Sequence, residues 1–221
     1  MARFALTPAD RDRVTAAVAD AERGTDGEIV TIVAAQSDSY HDVPLQFGVL
    51  AALLVTALAA LDARWLEIGL DPWGEADLGH VLLVLLIAQT AVFLGVRYLV
   101  GWAPVRFALT PRATKRRRVR RRALQHFHVG AENRTQAKVG ILLYLSTRER
   151  MAEIIADEAI HRAVPAERWG DAMAALVAEV REGRAGDGMA AAVTAIGAIL
   201  AETFPKTEND VNELPDRLIE L

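Results

Sequence analysis

The chain has 221 residues, room for one or two domains, and 52% of them are hydrophobic. There is no cysteine, which excludes disulfides, thiol catalysis and cysteine-ligated zinc and fits a chain facing the cytosol. The formal net charge of −4 conceals segregation: residues 106–122 carry nine basic and no acidic side chains, whereas acids outnumber bases on either side.

Residues 1–20 lack the apolar core of a secretory signal. Residues 7–23 read as a helix. Thr7 suits the N-cap, Pro8 the first helical position and Asp10 the acid of a capping box. Val14, Val18, Ala17 and Ala21 form its apolar stripe, and Gly24 ends it. Glu28 to Ala34 (EIVTIVA) is β-rich and reads as a strand.

Two apolar runs follow. Pro44 to Leu61 has 18 residues without a charge, and a second run covers 81–100, broken only by Arg97. About 20 helical residues span a hydrocarbon core of roughly 30 Å, so the expectation is a transmembrane hairpin with spans at 44–61 and 81–100. Arg97 stands near the end of its run, where it can snorkel to water. Trp65, Trp73, Tyr98 and Trp102 flank the apolar cores as interfacial aromatics do. The linker from Asp62 to His80 holds five acids and one arginine, whereas eight Lys or Arg fall between Arg112 and Arg122. The positive-inside rule then puts both termini in the cytoplasm and the acidic linker outside.

Residues 111–128 read as a helix with a cationic first half and a narrow apolar stripe at Val119, Ala123 and Phe127. Lys138 to Ser146 is an apolar strand, and Met151 to Ala156 reads as its hairpin partner across a tight turn. A helix after Pro165 presents Trp169, Met173, Leu176, Val177 and Val180. Another, with Asp187 as its expected N-cap, runs to about Phe204 and buries Val193, Ile196, Ile199, Leu200 and Phe204. The tail, 210–221, reads as polar with a final apolar turn. The hexapeptide RFALTP occurs at 3–8 and again at 106–111, a reused helix-start signal.

Alternating helices and strands argue an α/β fold: a small sheet flanked by helices, interrupted by the two-helix hairpin. The expected divisions are 1–42, the hairpin 43–105, a basic juxtamembrane helix 106–128, the second part of the α/β domain 129–204, and the tail 205–221.

The ordered set TDGEIVTIVA (Thr25 to Ala34), VGILLYLSTRERMAEIIAD (Val139 to Asp157) and REGRAGDGMAAAVTAIGAIL (Arg181 to Leu200) resembles the TPM-domain family. With the hairpin, the arginine run and the tail VNELPDR (Val211 to Arg217), the chain is similar to that family's bacterial membrane subgroup. The resemblance implies a small α/β domain. From plant members it implies phosphatase activity and divalent-metal binding through clustered acids at strand ends. This chain has separated acids instead, and Asp26, Glu28, Asp157 and Asp187 are the candidates for holding Ca or Mg. Glu153 is a further isolated acid; Asp157 and Glu158 follow the third strand, and His161 follows Asp157 at a spacing that places both on one helical face. Acids in such places also serve as helix caps and solvated groups.

No Walker motif, nucleophile elbow, HExxH or dinucleotide fingerprint is present. His126 and His128 diverge on their helix and read as structural. The cationic block (Arg112, Lys115, Arg116, Arg117, Arg118, Arg120, Arg121, Arg122) reads as a topology determinant and a surface for anionic lipid headgroups. Its place after a span argues against nucleic acid. The functional expectation is a non-enzymatic accessory or scaffold for another membrane protein; the alternative is a metal-assisted phosphatase using the strand-end acids.

Overall fold

The computed structural model describes residues 6–62, 78–130, 139–207, 214 and 216–221. It divides into two compact units: Met1–Asp38 with Ala113–Leu221, and Ser39–Arg112.

The first unit is an α/β sandwich. Helix α1 (Pro8–Glu22) opens as expected, with the Thr7 hydroxyl accepting from Asp10 N while the Asp10 carboxylate accepts from Thr7 N. Strand β1 (Glu28–Ala34) is buried along its whole length and runs parallel to β2 (Gly140–Ser146), which pairs antiparallel with β3 (Met151–Ala156). Continuous apolar runs such as EIVTIVA and GILLYLS are what a strand covered on both faces requires. The order is β3-β2-β1-β4, where β4 (Ile219–Glu220) lies parallel to β1. The final apolar turn expected of the tail is thus an edge strand. Ala35 N donates to Leu221 O and Leu221 N to Val33 O, so the tail satisfies backbone groups along β1.

Alternation along the strands sorts side chains into two cores. Ile29, Val33, Ile141, Leu143 and Leu145 face α1, α6 (Glu158–Ala163), α7 (Arg168–Arg181) and α8 (Ala185–Thr203). Val30, Ile32, Leu142 and Tyr144 face α5 (Arg112–Gly130), which buries Val119, Ala123 and Phe127, the stripe read from the sequence. In α7 the buried residues are Trp169, Ala172 and Leu176, while Val177 turns outward. α8 begins at Ala185, not Asp187. Gly186 comes too close to Asp10 for a side chain and the chain turns helical earlier, so Asp187 lies in the first turn rather than at the cap.

The TDGE segment secures the end of α8. Thr25 Oγ1 donates to Phe204 O at 2.6 Å and accepts from Gly27 N, and Asp26 N also donates to Phe204 O. These donors satisfy a carbonyl that the helix end leaves open.

The second unit holds α2 (Asp42–Leu61), α3 (Leu78–Gly101) and α4 (Ala103–Leu109). Gly48 faces Phe93 and Thr56 meets Gln89, so α2 and α3 pack antiparallel. The Gln89 amide donates to the Thr56 hydroxyl, which bonds back to Ala52 O. Tyr40, Val43 and Val100 make a small core at one end of the pair, with Phe107 edge-on to Tyr40 at 5.2 Å. Tyr98 and Trp102 are exposed; Trp65 and Trp73 lie outside the described residues.

Among the described residues three helices are long and apolar enough to cross a membrane: α2, α3 and α8. α8 is mostly covered by its own unit, whereas no residue in the most apolar stretch of α3 is fully buried. The repeated RFALTP does two jobs. Thr7 caps α1, but Thr110 bonds back to Arg106 O at 2.7 Å and closes α4 before α5 begins at Arg112.

Candidate functional site: an arginine helix clamped to the sheet

The cationic residues ride on α5, whose buried stripe at four-residue spacing seats it on the sheet. Two carboxylates fix its rotation. On one flank Asp38 receives Arg121 at 3.0 Å and Arg118 at 3.3 Å. On the other, Glu153 receives Arg120 at 3.4 Å and Arg116 at 3.8 Å. Pairs three and four residues apart share a helix face, so each acid spans one turn of α5. Glu153 stands opposite Tyr144 in the ladder, on the face where Met151 and Ile155 also meet the second core. The sequence presented the arginines as a topology determinant and a lipid-facing surface and did not reveal their pairing with either acid. Glu153 had a readable signal, an acid in the apolar alternation of MAEIIA.

A buried network past the carboxyl ends of β1 and β2 holds Ser37, the residue before Asp38. Glu149, 6% exposed, accepts from Ser37 N at 2.8 Å and from the Ser146 hydroxyl at 2.6 Å. Ser37 Oγ lies 3.1 Å from the hydroxyl of fully buried Tyr144. Burial raises the Tyr144 phenol above its ordinary value. The His126 ring stacks on Tyr144 at 6.0 Å, and burial, helped by Arg122, lowers its pKa and favours the neutral imidazole. His128 instead lies edge-on to Phe127, so the two histidines do diverge.

The candidate metal acids are dispersed in role and place. Asp26 Oδ1 accepts from Thr207 N, Glu28 Oε2 from Leu214 N and Asp157 Oδ2 from Gly140 N. Glu28 and Asp157 lie at the same end of the sheet, since both border Gly140. Asp187 contacts Arg13 and lies near Arg184 in the first turn of α8. Asp26 is bonded at the far end of that helix, about 25 Å away at 1.5 Å per residue. Each carboxylate thus already serves a backbone N–H or an arginine. Among the described residues no group of three or more His, Asp or Glu is arranged to hold a metal ion. Asp157 turns its side chain back to Gly140 rather than toward His161, whose backbone N–H bonds Asp157 O.

A further acid stands out. Glu22, at the end of α1, accepts from Ile29 N at 2.7 Å. Its second oxygen is buried, and burial with the neighbouring Glu28 and Asp216 carboxylates raises its pKa to about 8.

Residues 104–199 match the family model of the TPM domain. The chain carries a TPM domain. The matched stretch runs from α4 into α8 and omits α1 and β1, yet β1 is an inner strand of the sheet, so the TPM fold here is completed by residues from before the hairpin. The solved structure of the BA42 protein from the psychrophilic bacterium Bizionia argentinensis is similar in fold. It superposes with a TM-score of 0.57 at 18% identity over 98% of this chain and 95% of that one. No curated protein matches the chain.

Proposed function

We propose that the chain is a membrane-anchored TPM domain of the bacterial membrane kind. α2 and α3 cross the inner membrane as a hairpin, and the α/β unit stands in the cytoplasm with both termini. It acts there as a non-enzymatic accessory that supports another membrane protein. The observation that carries this reading is the surface of the helix pair. Leu50, Leu53, Leu54, Leu86 and Ile87 are each more than half exposed in helices of mean hydropathy 2.1. Contiguous apolar surface of that extent calls for lipid or protein around it. Inside such a layer the Gln89–Thr56 bond satisfies polar groups that would otherwise face hydrocarbon.

The accessory role is supported by the acids, which the fold uses to close strands, loops and helix ends. Two measurements test the reading. The full chain is expected to resist alkaline extraction and float with membranes; recovery in the soluble fraction contradicts the anchor. The purified protein is expected to leave generic phosphomonoesters intact with Mg or Ca; turnover lost in Asp157→Asn contradicts the accessory role and restores the phosphatase alternative.

A further inference from the structure

The cations of α5 divide into two sets. Arg116, Arg118, Arg120 and Arg121 meet Asp38 or Glu153, which stops the helix from rolling on the sheet. Arg117 makes no ion pair with a described residue and is exposed. At about 100° per residue it lies on the side of the helix opposite buried Val119. Even while paired, Arg116, Arg120 and Arg121 keep 78%, 56% and 67% of their side chains exposed. Among the described residues two carboxylates meet four of the eight cations, and the exposed guanidinium groups make the outer face strongly positive.

Covalent connectivity limits where that face can be. Asp38, the partner of Arg118 and Arg121, precedes the first residue of α2 by four positions, at most about 14 Å of extended chain. At the other end, Arg112 follows the last residue of α3 by 11 positions, seven of them coiled in α4. Resting on the reading that α2 and α3 span the membrane, we propose that the outer face of α5, centred on Arg117, docks on the anionic phospholipid headgroups of the leaflet into which both helices open. Guanidinium groups bind phosphate through paired N–H donors. Asp38 and Glu153 serve as positioning residues that hold the cations outward. The exposed cations are not interleaved with aromatic residues on which bases would stack, which argues against single-stranded nucleic acid as the occupant.

The absence of native cysteine makes the test direct. Ala113→Cys, exposed at the start of α5, carries a spin label and leaves every cation in place. The full chain is reconstituted in phosphatidylcholine bilayers with and without roughly one third phosphatidylglycerol. Collision of the label with a neutral water-soluble nickel chelate is expected to fall at least about twofold in the anionic bilayer. High salt and Arg117→Gln are each expected to reverse part of that fall, as screening and charge loss require. Equal accessibility in the two bilayers overturns the proposal. So does protection that appears in pure phosphatidylcholine on adding inorganic phosphate or an oligouridylate, which would assign the face to a free anion or to RNA. Failure of the protein to enter phosphatidylcholine bilayers at all would instead contradict the hairpin reading, so the two failures are distinguishable.

Discussion

The carboxylate of Asp38 lies 3.3 Å from the guanidinium of Arg118, with only 20% and 15% of the two side chains exposed. It is the most sheltered ion pair among the described residues, and it joins the loop leaving β1 to the helix that covers that strand. Removing one partner of a sheltered pair strands the other charge. Asp38→Asn is expected to destabilise the domain by about 1 kcal/mol, discounted for the partial exposure, or about 2–4 °C in melting temperature for a chain of this size. Adding Arg118→Gln to Asp38→Asn should cost less than the two single effects summed. Strict additivity in the melting series would show that the pair contributes nothing.

Glu22 sets a pH dependence with a definite sign. Its pKa is raised from 4.5 to about 8 in the fold, so between those values the native state holds a proton that the unfolded chain has released. Stability therefore declines as pH rises from about 4.5 to about 8. Glu22→Gln keeps an oxygen for Ile29 N and removes the ionisation. The variant should melt higher than the parent at pH 8 and much like it near pH 4.5. Parallel melting-versus-pH curves for the two proteins would remove Glu22 as the cause.

Two helical glycines should respond in opposite directions to alanine. A Cβ on Gly197 would fall 2.5 Å from the Cβ of Ala21, where α8 crosses α1. Overpacking of that kind costs about 1–3 kcal/mol. Gly170, in α7, has nothing within 4 Å of its added Cβ, and alanine there should stabilise by about 0.5–1 kcal/mol through helix propensity. Chemical denaturation of the two variants checks both signs, and a stabilising Gly197→Ala would mean the helices do not approach as closely as described.

Asp157 should behave as a structural acceptor. Its Oδ2 takes the Gly140 N–H at 2.8 Å in a buried setting. Asp157→Ala leaves that donor unsatisfied, a loss of about 1–3 kcal/mol. Millimolar Ca or Mg should leave the melting temperature of the parent protein unchanged. A rise with ion concentration would reveal a native-state metal site and reopen the candidacy of Glu28 and Asp157.

Local signals made much of this fold legible. The capping box at Thr7 and Asp10, the buried runs of β1 and β2, the β2–β3 hairpin and the Val119, Ala123, Phe127 stripe all rest on spacing within one element, which the sequence displays directly. What escaped depends on partners distant in the chain. β4 is two residues long and exists because β1 offers an open edge, so the tail's own pattern could not announce it. The Asp38 and Glu153 clamps join residues 33 to 83 positions from their arginines. Asp187 looked like an N-cap because Gly-Asp-Gly favours a turn; the helix instead starts three residues earlier, with Arg184 at the cap, and Gly186 leaves room for Asp10 of α1.

The most direct test of the central claim is cysteine-scanning topology in cells. Single cysteines go into the 63–77 linker and, separately, at exposed Gly170 in α7, in an otherwise cysteine-free chain. A membrane-impermeant maleimide applied to spheroplasts should label the linker at once and Gly170→Cys only after permeabilisation. Immediate labelling at Gly170→Cys with a protected linker, or labelling of both sites alike, would contradict a membrane hairpin that holds the TPM domain in the cytoplasm.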